Sequence, residues 1–404
     1  MKNWQTKKLG EICDLQNGFA FKSKDYVEKS NTMNFRMSQI RPGGGIDLDN
    51  NPKYLPDNYA ALYKEYLLKD GDLVIAMTDM ATETKILGVP TMVITDGKKL
   101  LLNQRVGRLF EIDLKQVFVP FLCSMLTSPQ IKDYYKGLGR GGLQINIGKQ
   151  EILNAIIPLP PVSEQRRIVK KLDKIFAAIE KAKKSAQKNL ANARELFESY
   201  LQSVFSNPGE GWEEKKIGQI AVVEYGFTDK ARDEGDFRFI RITDIDKNGC
   251  LINEDKKYIN SSKEAQKYLL NNDDLLMART GATFAKVLLY KDSEKSVFAS
   301  YLIKIRFTEN ILNELYWFFS KTKSYWDQAN TLSSGSAQPQ FNGAALKEVV
   351  FTYPKSATKQ KAMVSKFNAL SAQTKKLEAI YRQKLADLEE LKKAVLKKAF
   401  SGEL

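Results

Sequence analysis

The chain of 404 residues contains no histidine. That removes Ser-His-Asp and Cys-His nucleophile systems, HExxH zinc sites and histidine general bases. Any catalysis would fall to carboxylates, lysine or tyrosine. Asp72, Glu111 and Asp274 could supply carboxylates to a stand-alone magnesium-dependent nuclease. Asp72 and Asp274, however, follow turns and precede apolar strands, where aspartate is usually a turn former. A phosphate loop is missing, because Gly137-Leu138-Gly139-Arg140-Gly141-Gly142 is not followed by Lys-Ser/Thr. Gly43-Gly44-Gly45 reads as a turn. There is no Asn/Asp-Pro-Pro-Tyr quartet, the motif with which an amino-methyltransferase holds a flipped base. Pro160-Pro161 stands instead in Ile-Pro-Leu-Pro-Pro-Val, just ahead of a helix. Cys13, Cys123 and Cys250 are scattered, which gives no metal-binding spacing and fits a reducing compartment.

Charge points to a binding role. There are 63 Lys+Arg against 48 Asp+Glu, a formal charge of +15. Such an excess implies a polyanionic partner, with nucleic acid first, and argues against a purely structural spacer with protein-binding heads. No apolar run is long enough for a membrane span, and Met1-Lys2-Asn3-Trp4 does not open a signal peptide. A cytoplasmic location is expected.

The elements that would carry such a site come in duplicate. Trp4-Gln-Thr-Lys-Lys-Leu-Gly-Glu-Ile12 matches Trp212-Glu-Glu-Lys-Lys-Ile-Gly-Gln-Ile220, and Gly18-Phe19 matches Gly226-Phe227 at the same offset. Arg36-Met-Ser-Gln-Ile40 resembles Arg241-Ile-Thr-Asp-Ile245. Gly71-Asp-Leu-Val-Ile-Ala-Met-Thr78 resembles Asp273-Asp-Leu-Leu-Met-Ala-Arg-Thr280. After each mixed half comes a long apolar-striped segment, 163–205 and 358–400. Ile168, Leu172, Ile175, Ile179, Ala182, Ala186, Ala193, Leu196 and Tyr200 mark the first stripe, with Asn189 interrupting it. Met363, Phe367, Leu370, Leu377, Tyr381, Leu388, Leu391 and Val395 mark the second, with Thr374 and Lys384 interrupting it. Steps of four and three over several heptads predict a coiled-coil seam, and each helix of about 40 residues would reach about 60 Å. Neither can bury its stripe alone, so the simplest partner for each is the other.

The mixed halves read as short strands with a few helices. Residues 73–77, 91–95 and 106–112 are expected strands and 118–127 a short buried helix. In the second half, 275–278, 286–290 and 300–307 are strands, and a helix runs through Tyr316-Trp-Phe-Phe319. The βα alternation of a doubly wound sheet is missing. The fold class is therefore α+β: two tandem-duplicated domains with small, mostly antiparallel sheets, separated by a long antiparallel two-helix coiled coil. The expected bounds are 1–157 and 207–354 for the domains, 158–206 and 355–404 for the helices and tail.

With these residues in hand the sequence resembles the DNA-specificity subunit of type I restriction-modification enzymes over its whole length. The resemblance rests on the Trp-x-x-x-Lys-Leu/Ile-Gly-x-Ile opening of each half and the Gly71-Asp-Leu73 turn. It rests also on Ile157-Pro-Leu-Pro-Pro-Val-Ser-Glu-Gln-Arg-Arg-Ile168 and on Leu396-Lys-Lys-Ala-Phe-Ser-Gly-Glu-Leu404. The second half departs from it: Phe351-Thr-Tyr-Pro-Lys-Ser-Ala-Thr-Lys-Gln360 keeps one proline and the glutamine, and Gly-Asp-Leu becomes Asp273-Asp274-Leu275. The resemblance implies two target-recognition domains at opposite ends of the helix pair, each reading half of a gapped double-stranded DNA site. It implies no catalysis by this chain and no cofactor bound by it. Two adenine methyltransferase subunits using S-adenosylmethionine would be recruited, and restriction subunits using ATP and Mg in the full complex.

Base reading calls for Arg or Lys to guanine, Asn or Gln to adenine, and adaptable hydroxyls; phosphate anchoring calls for cations and backbone N–H groups. Loops that end strands supply Arg36, Gln39, Arg41, Thr78, Lys85, Gln104, Arg105, Arg140 and Gln144 in the first half. The second supplies Arg241, Arg279, Thr280, Thr283, Lys286, Ser300, Tyr301, Gln338 and Gln340. Tyr26, Tyr54 and Tyr225 could stack on bases, although a core position is the ordinary place for tyrosine. Lys170-Lys171, Lys183-Lys184, Lys392-Lys393 and Lys397-Lys398 read as solvated helix faces or subunit contacts.

Overall fold

A computed structural model describes residues 4–82, 84–139, 141–246, 248–333 and 340–404. It divides into two compact units, Met1–Ser185 with Lys384–Leu404, and Ala186–Gln383. Each unit combines one mixed domain with one stretch of each long helix.

The first unit holds a four-stranded antiparallel sheet in the order Asp14–Asn17, Val106–Phe110, Leu73–Ala76, Pro90–Met92. A second sheet places Thr32–Phe35 parallel to Lys99–Leu102, with antiparallel edges at Tyr54–Leu55 and Leu67–Leu68. Leu73–Ala76 is buried on both faces, which explains its unbroken apolar run. The second unit repeats this plan. Its sheet runs Ala221–Tyr225, Leu302–Phe307, Leu275–Ala278, Val287–Leu289, and Phe237–Ile240 lies parallel to Ser296–Phe298. So the sheets are small and mostly antiparallel, with one parallel pair in each unit.

Asp72 and Asp274 do form turns. Asp72 Oδ2 accepts the Lys69 N–H (2.9 Å) and Asp274 Oδ2 the Asn271 N–H (2.8 Å). Both also face a cation, Arg108 at 3.3 Å and Lys304 at 2.6 Å. Glu111 sits at a left-handed turn with φ 52°.

The long helices span Val162–Ser206 and Ala357–Phe400. In each unit their stretches run antiparallel: Lys183 Nζ meets Glu389 (2.6 Å) in the first, and Arg194 Nε meets Glu378 (3.1 Å) in the second. Both helices pack apolar side chains into the domain cores. Ile168, Leu172 and Phe400 join one core; Leu201, Phe205 and Phe367 join the other. Each such aromatic, fully buried, contributes about 1.5–3 kcal/mol. The expected stripes need correction at three positions, because Leu377 and Leu391 of the second helix are exposed, as is one residue of the first. Leu196 is 75% exposed, and Phe197, Leu201 and Phe205 face the core in its place. The row slips by one residue after Asn189, so the first helix does not keep a strict heptad.

One glutamine ties each helix to its domain. Gln165 is fully buried. Its Oε1 accepts the Phe118 N–H (2.8 Å), the first free donor of a helix, and its Nε2 donates to the carbonyls of Gln116 (2.7 Å) and Pro160 (2.8 Å). Gln360 repeats this with the Leu312 N–H (2.8 Å) and the carbonyls of Asn310 (3.0 Å) and Pro354 (2.9 Å). A side chain with both a donor and an acceptor group is required, because it caps a helix N-terminus and two carbonyls together.

Candidate nucleic-acid interface

The loops at one end of each sheet are held by the same backbone hydrogen bonds. In the first unit the Met77 N–H donates to the Arg105 carbonyl (2.9 Å), and the Met77 carbonyl accepts from Ile147 (2.9 Å). In the second the Arg279 N–H donates to the Tyr301 carbonyl (3.0 Å), and the Arg279 carbonyl accepts from Phe341 (2.8 Å). The Gln104 N–H reaches the Phe19 carbonyl (3.0 Å) as the Ser300 N–H reaches that of Phe227 (2.8 Å). The shared Gly-Phe pair has a steric cause. A Cβ on Gly18 would lie 2.2 Å from the Asn103 carbonyl oxygen, and one on Gly226 would lie 2.3 Å from that of Ala299. Only glycine lets the strands approach so closely.

On this common frame the side chains differ. The second unit brings together Arg279, Ser300 and Tyr301. The Arg279 guanidinium lies against the rings of Tyr225 (5.4 Å) and Tyr301 (5.5 Å), a cation between two π faces. Tyr225 is 43% exposed and Tyr301 54%, so neither is a core tyrosine. The Tyr225 hydroxyl accepts the Gly343 N–H (2.9 Å), which fixes the ring. Among the described residues no carboxylate pairs with Arg279. Its charge is available to a ligand. Thr280 is 7% exposed and bridges to Gln340, which is exposed. Thr283 is half-buried. Lys286 stands apart from this cluster and lines a cavity beside the helices.

The first unit presents Gln104, exposed, and Arg105, half-buried, while Met77 is buried where the second unit has Arg279. Gln144 lies on a short strand paired with Thr78–Met80, and the Thr78 hydroxyl donates to Asn146 Oδ1 (2.6 Å). Asp79, absent from the expected set, shapes the loop that bears exposed Lys85. Its Oδ2 accepts the N–H groups of Ile86 (2.5 Å) and Leu87 (3.0 Å). Leu143 at the tip of the glycine loop is 85% exposed and was also outside the expected set, which sought polar side chains. Arg140 and Gln338 lie outside the described residues.

Several expected readers are occupied within the protein. Gln39 is fully buried; its Oε1 accepts the Arg36 N–H (2.7 Å) and its Nε2 donates to the Asn50 carbonyl (2.9 Å). It locks a turn and has no face left for a base. Arg41 pairs with Asp47 and Arg241 with Asp244 (2.7 Å). The guanidinium beside it lowers the Asp47 carboxyl, and hydrogen bonding to Asp244 raises Arg241. Arg36 Nη1 is enclosed without a hydrogen-bond partner. The Tyr26 hydroxyl accepts from Asn34 (2.9 Å) and Tyr54 is half-buried, so both are framework residues.

Two cationic, partly exposed loop clusters on one duplicated frame define a nucleic-acid-reading class of protein. The chain belongs to the type I restriction modification DNA specificity domain family, which matches residues 1–188 and 209–389. It is 21% identical over 392 residues to the type I restriction enzyme StySPI specificity subunit of Salmonella potsdam, covering 87% of this chain and 84% of that one. The EcoKI specificity subunit of Escherichia coli strain K12 is 23% identical over 394 residues, with coverage of 87% and 84%. Among solved structures, a chain from work on complex assembly and conformational transition of the type I R-M system superposes with a TM-score of 0.78. It is 18% identical and covers 100% of this chain and 99% of its own. The HsdS subunit from Thermoanaerobacter tengcongensis gives a TM-score of 0.59 at 18% identity, covering 100% and 98%. These likenesses share the fold. The chain is a specificity subunit, which recognises DNA sequence and does not itself catalyse. Among the described residues no helix is long and apolar enough to cross a membrane.

Proposed function

We propose that each domain reads one half of a gapped, bipartite double-stranded DNA site, and that the helix pair, acting as a coiled coil, sets the gap. The observation that carries this reading is the repeated backbone frame with exchanged side chains: Met77, Gln104 and Arg105 in one unit, Arg279, Ser300 and Tyr301 in the other. Two readers built alike but armed differently suit an asymmetric target. Arg279 is the base-reading cation of the second half, stiffened by Tyr225 and Tyr301; Arg105 and Gln104 serve the first.

The chain recruits adenine methyltransferase subunits and, in a full complex, restriction subunits. Apolar side chains left exposed on the helices, Leu196, Leu377, Ile380 and Leu391, support a partner-binding role. S-adenosylmethionine, ATP and Mg belong to those partners. A cytoplasmic location follows from that role.

The test is co-purification with the neighbouring methyltransferase subunit, followed by mapping of methylated adenines on genomic DNA. A two-part motif with a fixed gap is expected. Methylation without a gapped motif, or no stable complex, would sink the proposal.

A further inference from the structure

The second unit contains a cavity of about 440 Å³ where its recognition domain meets both helix stretches. Five cationic side chains and two carboxylates line it. Much of one carboxylate is already engaged: Glu378 holds Arg194 Nε at 3.1 Å and Arg382 Nη2 at 2.7 Å. The other, Glu198, lies one helical turn from Arg194 and acts on it electrostatically. Lys286, Lys321 and Lys375 remain, and among the described residues none of them forms an ion pair.

Lys321 is the telling member. Its Nζ lies 3.2 Å from the centre of the Trp317 ring, and Trp317 Nε1 donates to the carbonyl of Gly249 (3.0 Å), a residue that lines the cavity, which fixes that ring. Burial lowers its ammonium to about 8. A mostly enclosed ammonium with no ion-pair partner among the described residues, and only a distant carboxylate in Asp246, costs stability, and a lysine whose sole task were packing would do better as methionine. The helix side of the cavity adds the hydroxyls of Ser371 and Thr374. Thr374 is one of the two polar residues that interrupt the apolar row of the second helix.

The first unit serves as an internal control. Its backbone repeats the second: the Val89 N–H donates to Ile86 as Lys286 does to Thr283, and Gln165 and Gln360 cap matching helices. At the positions of Lys286, Lys321 and Trp317 it carries Val89, Thr127 and Cys123. The cations are therefore an addition to the frame and not something the frame demands.

We propose that this cavity binds a phosphate-bearing anion, held by Lys286, Lys321 and Lys375. Several ammonium groups and hydroxyls converging on one space match an anion with several acceptor oxygens. The phosphate could belong to a small free ligand or to a DNA backbone. Arg279, Ser300 and Tyr301 do not line it, and the site does not depend on the gapped-site reading.

The full chain would be titrated with inorganic pyrophosphate at low salt, by calorimetry and by tryptophan emission. One saturable site per chain is expected. Lys321→Gln and, separately, Lys286→Gln should each weaken it by about tenfold or more, the loss of one charge-assisted hydrogen bond. Lys286 is half-buried at the wall, so its variant decides the matter should the Lys321 variant fold poorly. A second arm adds duplex DNA of unrelated sequence. Displacement of pyrophosphate assigns the site to backbone phosphate; simultaneous binding assigns it to a free phosphorylated ligand. Absence of saturable pyrophosphate binding, or undiminished binding in a folded Lys286→Gln chain, overturns the proposal.

Discussion

Met33 in the first domain and Arg238 in the second occupy the same strand position, two residues before the carbonyl that accepts the Asn103 or Ala299 N–H. Both are 1% exposed. Met33 sits in an apolar cluster, whereas Arg238 bonds Asp292 Oδ2 (2.8 Å), Asn253 Oδ1 (2.7 Å) and the Ile252 carbonyl (2.6 Å). Opposite core chemistries thus support one backbone. What the two domains share are glycines at close approaches, turn aspartates and the glutamine ties. Core and loop side chains are free to diverge around those points. A recognition fold benefits from this division, because new specificity can be installed without moving the frame.

The largest expected effect breaks the comparison at that strand. Asp292→Ala leaves buried Arg238 with only Glu294, at 3.9 Å, as a carboxylate partner and should cost about 3 kcal/mol in urea unfolding. Arg238→Met, which imports the first domain's solution, should cost far less. Equal losses would mean that the pair contributes little beyond volume.

Next come the glutamines. Gln165→Leu removes the partners of one enclosed N–H and two carbonyls, and should destabilise by about 2–4 kcal/mol. Faster amide exchange at Phe118 should accompany it, with the second domain unaffected. If the gapped reading holds, methylated sites should then show a wider spread of gaps with both half-sites intact. Protection of the Phe118 amide as in the parent chain would remove Gln165 from this role.

Arg279→Ala should relax readout in one half-site by about 1–3 kcal/mol and leave the other unchanged. Competition binding with substituted duplexes measures it. Uniform weakening on every sequence would demote Arg279 to a phosphate contact. Arg105→Ala is the matching change for the opposite half-site.

The smallest effect concerns Lys321. With its folded value near 8, below that of an unfolded lysine near 10.4, the unfolded chain holds more protons between those values. Stability relative to Lys321→Met should therefore rise as pH is raised from about 7 to 9.5 in the absence of phosphate. Lys375 pushes the ammonium down further, while Cys250 and Asp246 pull it up. A pH-independent difference would show that Lys321 stays charged throughout.

Much of the fold was legible because its signals are local. The runs at 73–77 and 275–278, the turns formed by Asp72 and Asp274 and the two long helices all follow from residue type and period. Thr32–Phe35 and Lys99–Leu102 were not legible. They are four-residue strands paired in parallel, and Thr32–Phe35 is buried throughout, so no alternation marks it. The candidate interface was legible as loops and less so as residues. Arg279 and Tyr301 were within reach of a search for loop cations and aromatics. Gln39 misled, because a glutamine beside an arginine at a strand end looks the same whether it faces solvent or closes a turn.

The sequence alone determined the duplication, the helix pair, the basic charge and the absence of histidine chemistry, since each is a property of composition or spacing along the chain. Tertiary structure alone decided that Arg279 lies against two tyrosines and that Lys321 sits enclosed on Trp317. It also decided that Gln165 and Gln360 tie helix to domain. The Gln360 tie to Leu312 joins residues 48 positions apart, the Gln165 tie to Phe118 residues 47 apart, and Arg279 meets Tyr225 across 54. Which distant groups meet, and whether water still reaches them, depends on how strands pair and cores close, and no local pattern carries that information.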